Sequence, residues 1–273
     1  MNLTDIPPED RIPTCCCFCG EGADARVRHL VRGFRIMQCL DCGMVYTDPR
    51  VSVRKMLDQV YVQGYVGAAR ADADSRPLLS RLWRSLRWGR SPNAGARKRW
   101  SFIRRWAPPG DEVHLLDVGC NTGYATELIA RERPGWRVVG IEPSQPFARA
   151  ARERGLEVRC GFLEDTSWED EFDLLCAWDV IEHVPEPVGF VRALRRVLRP
   201  GGRAILHCPN YLSLRRRRQG HGWKILGPPQ HLHHFTPTTL RRLLEQEHAR
   251  ILHLSAGPLN LATCIHAVCT WPR

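Results

Sequence analysis

Residues 111–273 are predicted to form a doubly wound α/β sheet, with a small cysteine-bearing module and a helical linker ahead of it. Three observations predict this. From Asp111 onward, short apolar strands alternate with amphipathic helical segments. A strand runs into a glycine-punctuated turn at 119–123 that opens a helix. Two Cys-x2-Cys pairs stand within residues 11–48.

The elements follow in order. Val113–Val118 reads as a strand, Thr122–Arg133 as a helix, Arg137–Ile141 as a strand and Gln145–Glu153 as a helix. Glu157–Cys160 and Phe172–Trp178 are strands. Val188–Leu198 is a helix closed by Pro200-Gly201-Gly202, and Arg203–Cys208 a strand. Thr238–Glu247 is a helix begun by Thr236-Pro237 as cap and first turn, and Arg250–Leu254 a strand. A ligand site in such a sheet lies beyond the carboxyl ends of the strands.

The region 51–109 carries a helical pattern broken by Gly and Pro. Leu78, Leu79, Leu82, Trp83 and Leu86 recur at helical spacing, and a second helix carries Trp100, Ile103 and Trp106 up to Pro108-Pro109-Gly110. These tryptophans are expected to anchor packing.

Cys16-x2-Cys19 and Cys39-x2-Cys42 are separated by nineteen residues, the spacing of a four-cysteine zinc site. Cys15-Cys16-Cys17 offers alternatives, and Cys16 is chosen because it gives the two-residue gap. Gly20 and Gly43 follow the pairs and suit tight knuckles. Residues 11–48 are thus expected to form a zinc-ribbon-like module with Cys16, Cys19, Cys39 and Cys42 as ligands. Four thiolates leave no open position, so such a metal is structural.

In the turn, Asp117 precedes Gly119, and Tyr124 occupies the place where a dinucleotide dehydrogenase needs a third glycine. Val138–Glu142 is an apolar strand ending in a carboxylate 23 residues after Gly119, placed to accept ribose hydroxyls.

With these motifs the sequence resembles the class I S-adenosylmethionine-dependent methyltransferases. Asp117-x-Gly119-x-Asn121-x-Gly123 is similar to their first motif and Ile141-Glu142-Pro143-Ser144 to their ribose-binding motif. Gly161-Phe162-Leu163-Glu164-Asp165 resembles the turn flanking the adenine. Phe172-Asp173 through Trp178-Asp179-Val180-Ile181-Glu182-His183-Val184 resembles the fourth strand and its loop, and Leu198–Gly202 the turn before the fifth. The resemblance implies a Rossmann-like methyltransferase sheet that binds S-adenosyl-L-methionine. Asp117, Gly119, Asn121, Gly123, Glu142, Leu163, Glu164 and Asp179 are the implied cofactor residues. The knuckles resemble those of bacterial methyltransferases with a zinc-binding head, many of which act in sugar, surface-polysaccharide or secondary-metabolite pathways. Asn121 departs from the family's usual glycine, and Ala262–Thr270 is a thin candidate for the last antiparallel strand, which leaves the C-terminus as a shortened one.

Methyl transfer to oxygen is helped by a general base. His183, after the fourth strand, and His231, in the loop Pro228–Phe235, are the candidates; His233 and His234 stand beside the latter, and Glu182 is placed to orient His183. Tyr61 and Tyr65 resemble tyrosines that close over the cofactor. The expected function is O-methylation of a small-molecule or saccharide acceptor. The alternatives are an RNA or protein acceptor recognised by the zinc module, and a cofactor-binding protein without catalysis.

Composition bears on the partners. The formal charge is +11, but among the 40 basic residues only Lys55, Lys98 and Lys224 are lysine, and only Arg215–Arg218 is a true run. That scatter argues against nucleic acid. No stretch approaches eighteen uninterrupted apolar residues, so no membrane span is expected. The start, Met1–Asp10, lacks a secretory pattern, and the cysteines form no disulfide framework, so a reducing, cytoplasmic location is expected.

Overall fold

The structure, a computed structural model, describes residues 2–57 and 92–272. The N-terminal strands are β1 (Arg11–Ile12), β2 (Ala25–Val31), β3 (Phe34–Cys39), β4 (Val45–Asp48) and β5 (Arg50–Val51), followed by a helical turn at Val53–Lys55. Helix α1 (Pro92–Trp106) leads into β6 (His114–Val118), α2 (Tyr124–Glu132), β7 (Arg137–Glu142), α3 (Gln145–Arg152) and β8 (Glu157–Cys160). Then come β9 (Phe172–Trp178), α4 (Pro187–Val197), β10 (Leu198–Pro209), α5 (Leu214–Gln219), β11 (His233–His234), α6 (Pro237–Gln246), β12 (Arg250–Ser255) and β13 (Cys264–Thr270). The expected helix around Leu78–Leu86, and Tyr61 and Tyr65, lie outside the described residues.

Seven strands form the main sheet in the order β12-β13-β10-β9-β6-β7-β8. Strands β8, β7, β6, β9 and β10 are parallel, and β13 is antiparallel to both its neighbours. The chain leaves β6 in one direction for β7 and β8, then returns to β9 on the other side. The switch point therefore lies between β6 and β9.

The strands are apolar along their length because helices or loops cover both faces. Leu115, Leu116, Leu174, Leu175, Ala204, Ile205 and Leu206 have no exposed surface, or almost none. Phe172 and Phe190 are fully buried below them, each worth about 1.5–3 kcal/mol of apolar transfer. On the opposite face Trp100 meets Trp136 edge to face at 5.9 Å, and Trp106 packs on the same cluster. Both act as packing anchors, as the sequence led us to expect.

Two elements repay comparison with expectation. Thr236 accepts from the Thr239 amide at 3.1 Å while the Thr239 hydroxyl accepts from the Thr236 amide at 2.9 Å, with Pro237 next. This is a reciprocal cap, and it starts α6 where the sequence placed it. The thin C-terminal candidate is a full strand: Cys264–Thr270 pairs with β10 from Pro209 to Arg203 and with β12 on its other edge. Its inward residues Ile265, Ala267, Val268 and Cys269 are buried. The seventh strand is therefore present, contrary to the shortened end expected from its mixed composition.

A second sheet has the order β11-β4-β3-β2. Its edge strand comes from the far end of the sequence: His233 pairs with Tyr46 and His234 with Val45. The cysteine-bearing head is thus hydrogen-bonded to the loop that carries the histidines. No helix among the described residues is long and apolar enough to cross a membrane.

Candidate active site

A cavity of about 690 Å³ opens at the carboxyl ends of β6, β7 and β9, within the size range of small-molecule sites. Its cofactor-like end is built from backbone. Gly119 has φ +69°, and a Cβ there would stand 2.7 Å from Cγ2 of Val180. Asn121 takes φ +54°, and its Oδ1 accepts from the Thr122 amide at 2.7 Å. Asparagine thus holds the left-handed conformation that glycine would otherwise supply.

Glu142, at the end of β7, lines this end of the cavity and is buried. Its carboxylate accepts from the amides of Asn121 and Ser144, both at 2.9 Å. Burial pushes its pKa up, against those two N–H groups that hold it down. A carboxylate has lone pairs left for two further donors. The adjacent wall is Phe162, Leu163 and Glu164. A nucleoside with ribose hydroxyls fits this donor and acceptor set.

Asp117 is placed differently from the expectation. It does not line the cavity; its carboxylate accepts from the Thr126 hydroxyl at 2.7 Å and lies 3.4 Å from the Cys176 thiol. It fixes the start of α2 against β6 and β9. Burial raises its pKa.

Asp179, Gly119 and Asn121 line the cavity. Asp179 lies 2.7 Å from Nδ1 of His207 and 4.0 Å from the Arg99 guanidinium. Burial opposes its charge, but the His207 hydrogen bond and the two positive groups bring its pKa below the ordinary value. Burial likewise opposes charge on His207, and the Asp179 contact overrides it, pushing that imidazole up to about 9. His207 stacks on Trp178 at 4.4 Å, and Arg99 sits over the same indole at 5.6 Å.

The candidate histidines separate. His183 and His231 both line the cavity and meet edge to face, with ring centroids 4.6 Å apart. Glu182 does not orient His183; the Gln230 carbonyl does, accepting from Nδ1 at 2.9 Å. A carbonyl only accepts, so Nδ1 carries the proton and Nε2 the lone pair. Burial lowers the pKa of both imidazoles, and their mutual proximity lowers that of His231 further. His234 turns toward the head instead, while His233 Nε2 lies 3.4 Å from the Pro185 carbonyl. His234 Nε2 lies 3.2 Å from the Thr47 hydroxyl, which also donates to the His231 carbonyl at 2.6 Å.

In the head, the sulfurs of Cys16, Cys19, Cys39 and Cys42 all lie within 4.8 Å of one another. Gly20 N–H donates to the Cys16 carbonyl and Gly43 N–H to that of Cys39, closing the two knuckles. Cys15 and Cys17 are not members of the cluster. Four convergent thiols without a disulfide suit a tetrahedral thiophilic ion.

Sequence reasoning missed Arg99, His207 and the apolar wall of Val51, Val53, Met56 and Leu57. His207 had a signal, a lone imidazole inside the apolar run Ala204–Cys208. The others had none, because their place depends on how distant segments meet.

The strand order, the turn at 119–123 and the carboxylate ending β7 define the class I fold of S-adenosylmethionine-dependent methyltransferases. A family described as "Methyltransferase domain" matches residues 79–254, and the chain belongs to it. It is 36% identical over 106 residues to a ubiquinone biosynthesis O-methyltransferase of Xanthomonas oryzae pv. oryzae, covering 36% of this chain and 44% of that protein. A protein of the same name from Bradyrhizobium is 33% identical over 104 residues, 36% of this chain and 40% of its own. The chain matches less than half the length of these relatives. Among solved structures, an S-adenosylmethionine-dependent methyltransferase from Mesorhizobium loti aligns with TM-score 0.52 at 18% identity, over 66% of this chain and all of that one. The [4+2]-cyclase SpnF aligns with TM-score 0.54 at 18% identity, over 68% and 86%.

Proposed function

We propose that the protein transfers the methyl of S-adenosylmethionine to an oxygen of a small-molecule or saccharide acceptor. The observation that carries this reading is the cavity that runs from Glu142 to the paired imidazoles of His183 and His231. The names of the O-methyltransferase relatives support oxygen as the acceptor atom.

When bound, S-adenosylmethionine supplies an electrophilic methyl on a sulfonium. Glu142 would accept hydrogen bonds from the ribose hydroxyls, and Phe162, Leu163 and Glu164 would flank the base. Apolar Val51, Met56, Leu57 and Leu232 line the rest and exclude water that would compete for the methyl. His183 and His231 face the acceptor hydroxyl, and a neutral imidazole can take its proton. Cys16, Cys19, Cys39 and Cys42 would hold a zinc ion that ties the head together, and β4 of the head pairs with the histidine loop. Free thiols on this scale favour a reducing, cytoplasmic setting.

The test offers methyl-labelled cofactor with a panel of phenols, hydroxylated sugars and sugar nucleotides, and follows the label by mass. A methylated hydroxyl in one class supports the reading. Cofactor binding without label transfer to any of them, or to a cell extract, overturns it in favour of a non-methylating role, which the cyclase sharing this fold makes concrete.

A further inference from the structure

In the wall of the cavity, Glu182 presents a problem in energetics. It is 1% exposed, and neither carboxylate oxygen has a hydrogen-bond partner among the described residues. An unpaired carboxylate in such a place costs several kcal/mol. A protonated one still has a hydroxyl with nothing to donate to.

Its surroundings offer another answer. A carboxylate oxygen of Glu182 and a ring nitrogen from each of His183 and His231 lie within 4.8 Å of one another. His183 is anchored through Nδ1, which donates to the Gln230 carbonyl at 2.9 Å. Metal-binding histidines are held in this way, one nitrogen donating to a carbonyl so that the other aims its lone pair. The backbone carbonyl of Glu182 accepts from the amides of Leu232 and His233 at 2.8 and 3.1 Å, which locks the histidine loop to the strand-end residue. All three side chains line the cavity.

We propose that Glu182, His183 and His231 form a site for a divalent transition-metal ion at the acceptor end of the cavity. Two imidazoles and a carboxylate are the donor set of catalytic zinc and of non-haem iron(II) sites. Three protein ligands leave positions open toward the cavity, unlike the closed four-thiol cluster in the head. The class of ligand it takes there is an oxygen donor, a hydroxyl or phenol of the acceptor, whose acidity the ion raises. The imidazoles are then ligands in place of the base role given to them above, and the acidified hydroxyl gives its proton to solvent before its oxygen takes the methyl. The catalytic use of the ion rests on the acceptor reading above; the site itself does not.

The experiment titrates cobalt(II) into metal-stripped full-length protein and follows absorption. Thiolate ligation gives intense charge-transfer bands, whereas nitrogen and oxygen ligation gives only weak ligand-field bands. The wild type is expected to take one equivalent with the thiolate signature and a second without it. Glu182→Gln, which keeps the size of the side chain, and His231→Ala should weaken the second by at least about 100-fold. Their intact thiolate band shows that the head has folded, and an unchanged circular-dichroism spectrum does the same for the main sheet. A wild type that takes only the thiolate-bound equivalent overturns the proposal, and so does a second equivalent retained in folded Glu182→Gln. No acceptor enters the measurement, so a failed methyl-transfer assay cannot imitate a failed metal site.

Discussion

The two ends of the cavity are made in different ways. The cofactor end is local: β6, its turn, β7 and the turn after β8 are neighbours in sequence and in the sheet. Its contacts are largely backbone to carboxylate, as in the two amides on Glu142. The acceptor end is assembled from residues as far apart as Val51, Arg99, Glu182, His207 and His231. Its support is a strand, β11, that pairs with the head through His233 to Tyr46 and His234 to Val45, with the Thr47 hydroxyl 3.2 Å from His234 Nε2. The first end should therefore answer to local changes of the turn. The second should answer to the integrity of the head, whose β4 pairs with the histidine loop.

The largest effect tests that division. Cys39→Ser, or removal of zinc by a strong chelator, should unfold the head, because a structural zinc site carries about 10–16 kcal/mol of folding free energy. Scanning calorimetry should then show the loss of a transition. Methyl transfer should fall at least about 100-fold while cofactor affinity moves by less than about threefold. Equal loss of both would show that the two ends are not separable.

Next is Gly119→Ala. A methyl group in the left-handed region, 2.7 Å from Val180, costs about 1–3 kcal/mol of strain. Cofactor affinity should drop about 10–100-fold, read by equilibrium binding. An unchanged affinity would mean that the turn does not shape the site.

Thr47→Val keeps the volume and removes the hydroxyl shared by the His231 carbonyl and His234 Nε2. The lost bonds are worth about 1–2 kcal/mol, so turnover should fall about tenfold with cofactor affinity unchanged. Thr47→Ser should restore it; failure of the serine to do so would assign Thr47 to packing alone.

The smallest effect is one of pH. His207 is pushed up from 6.5 to about 9, so the stability it contributes is complete below its unfolded value and lost as pH rises through about 9. The lowered Asp179 contributes in the opposite direction, losing its share only as pH falls through its depressed value. The melting temperature of the wild type should decline by a few degrees on going from neutral pH to above about 9. His207→Gln should show a smaller decline, and equal slopes would remove the pair from the account.

The same division explains what the sequence made legible. Strand periodicity, the glycine turn, Glu142 and the Cys-x2-Cys spacing are local signals, and each sits where that logic puts it. The partners of Asp117 were hidden from its neighbourhood in sequence: Thr126 lies nine residues on, in α2, and Cys176 on the adjacent strand. The last strand looked thin because His266 and Thr270 interrupt its apolar run, yet β10 and β12 supply both its edges. Glu182 was taken for an orienting group because it adjoins His183; only the fold brings in the Gln230 carbonyl that does the orienting.

The central claim, a cofactor end independent of the acceptor end, is tested most directly by calorimetric titration of S-adenosylmethionine into wild type, Glu142→Ala and His231→Ala. Removing the buried carboxylate should weaken binding by at least about 100-fold, the loss of two charge-assisted hydrogen bonds. His231→Ala should stay within about threefold of wild type. Undiminished binding by Glu142→Ala, or an equal loss in both variants, would contradict the account.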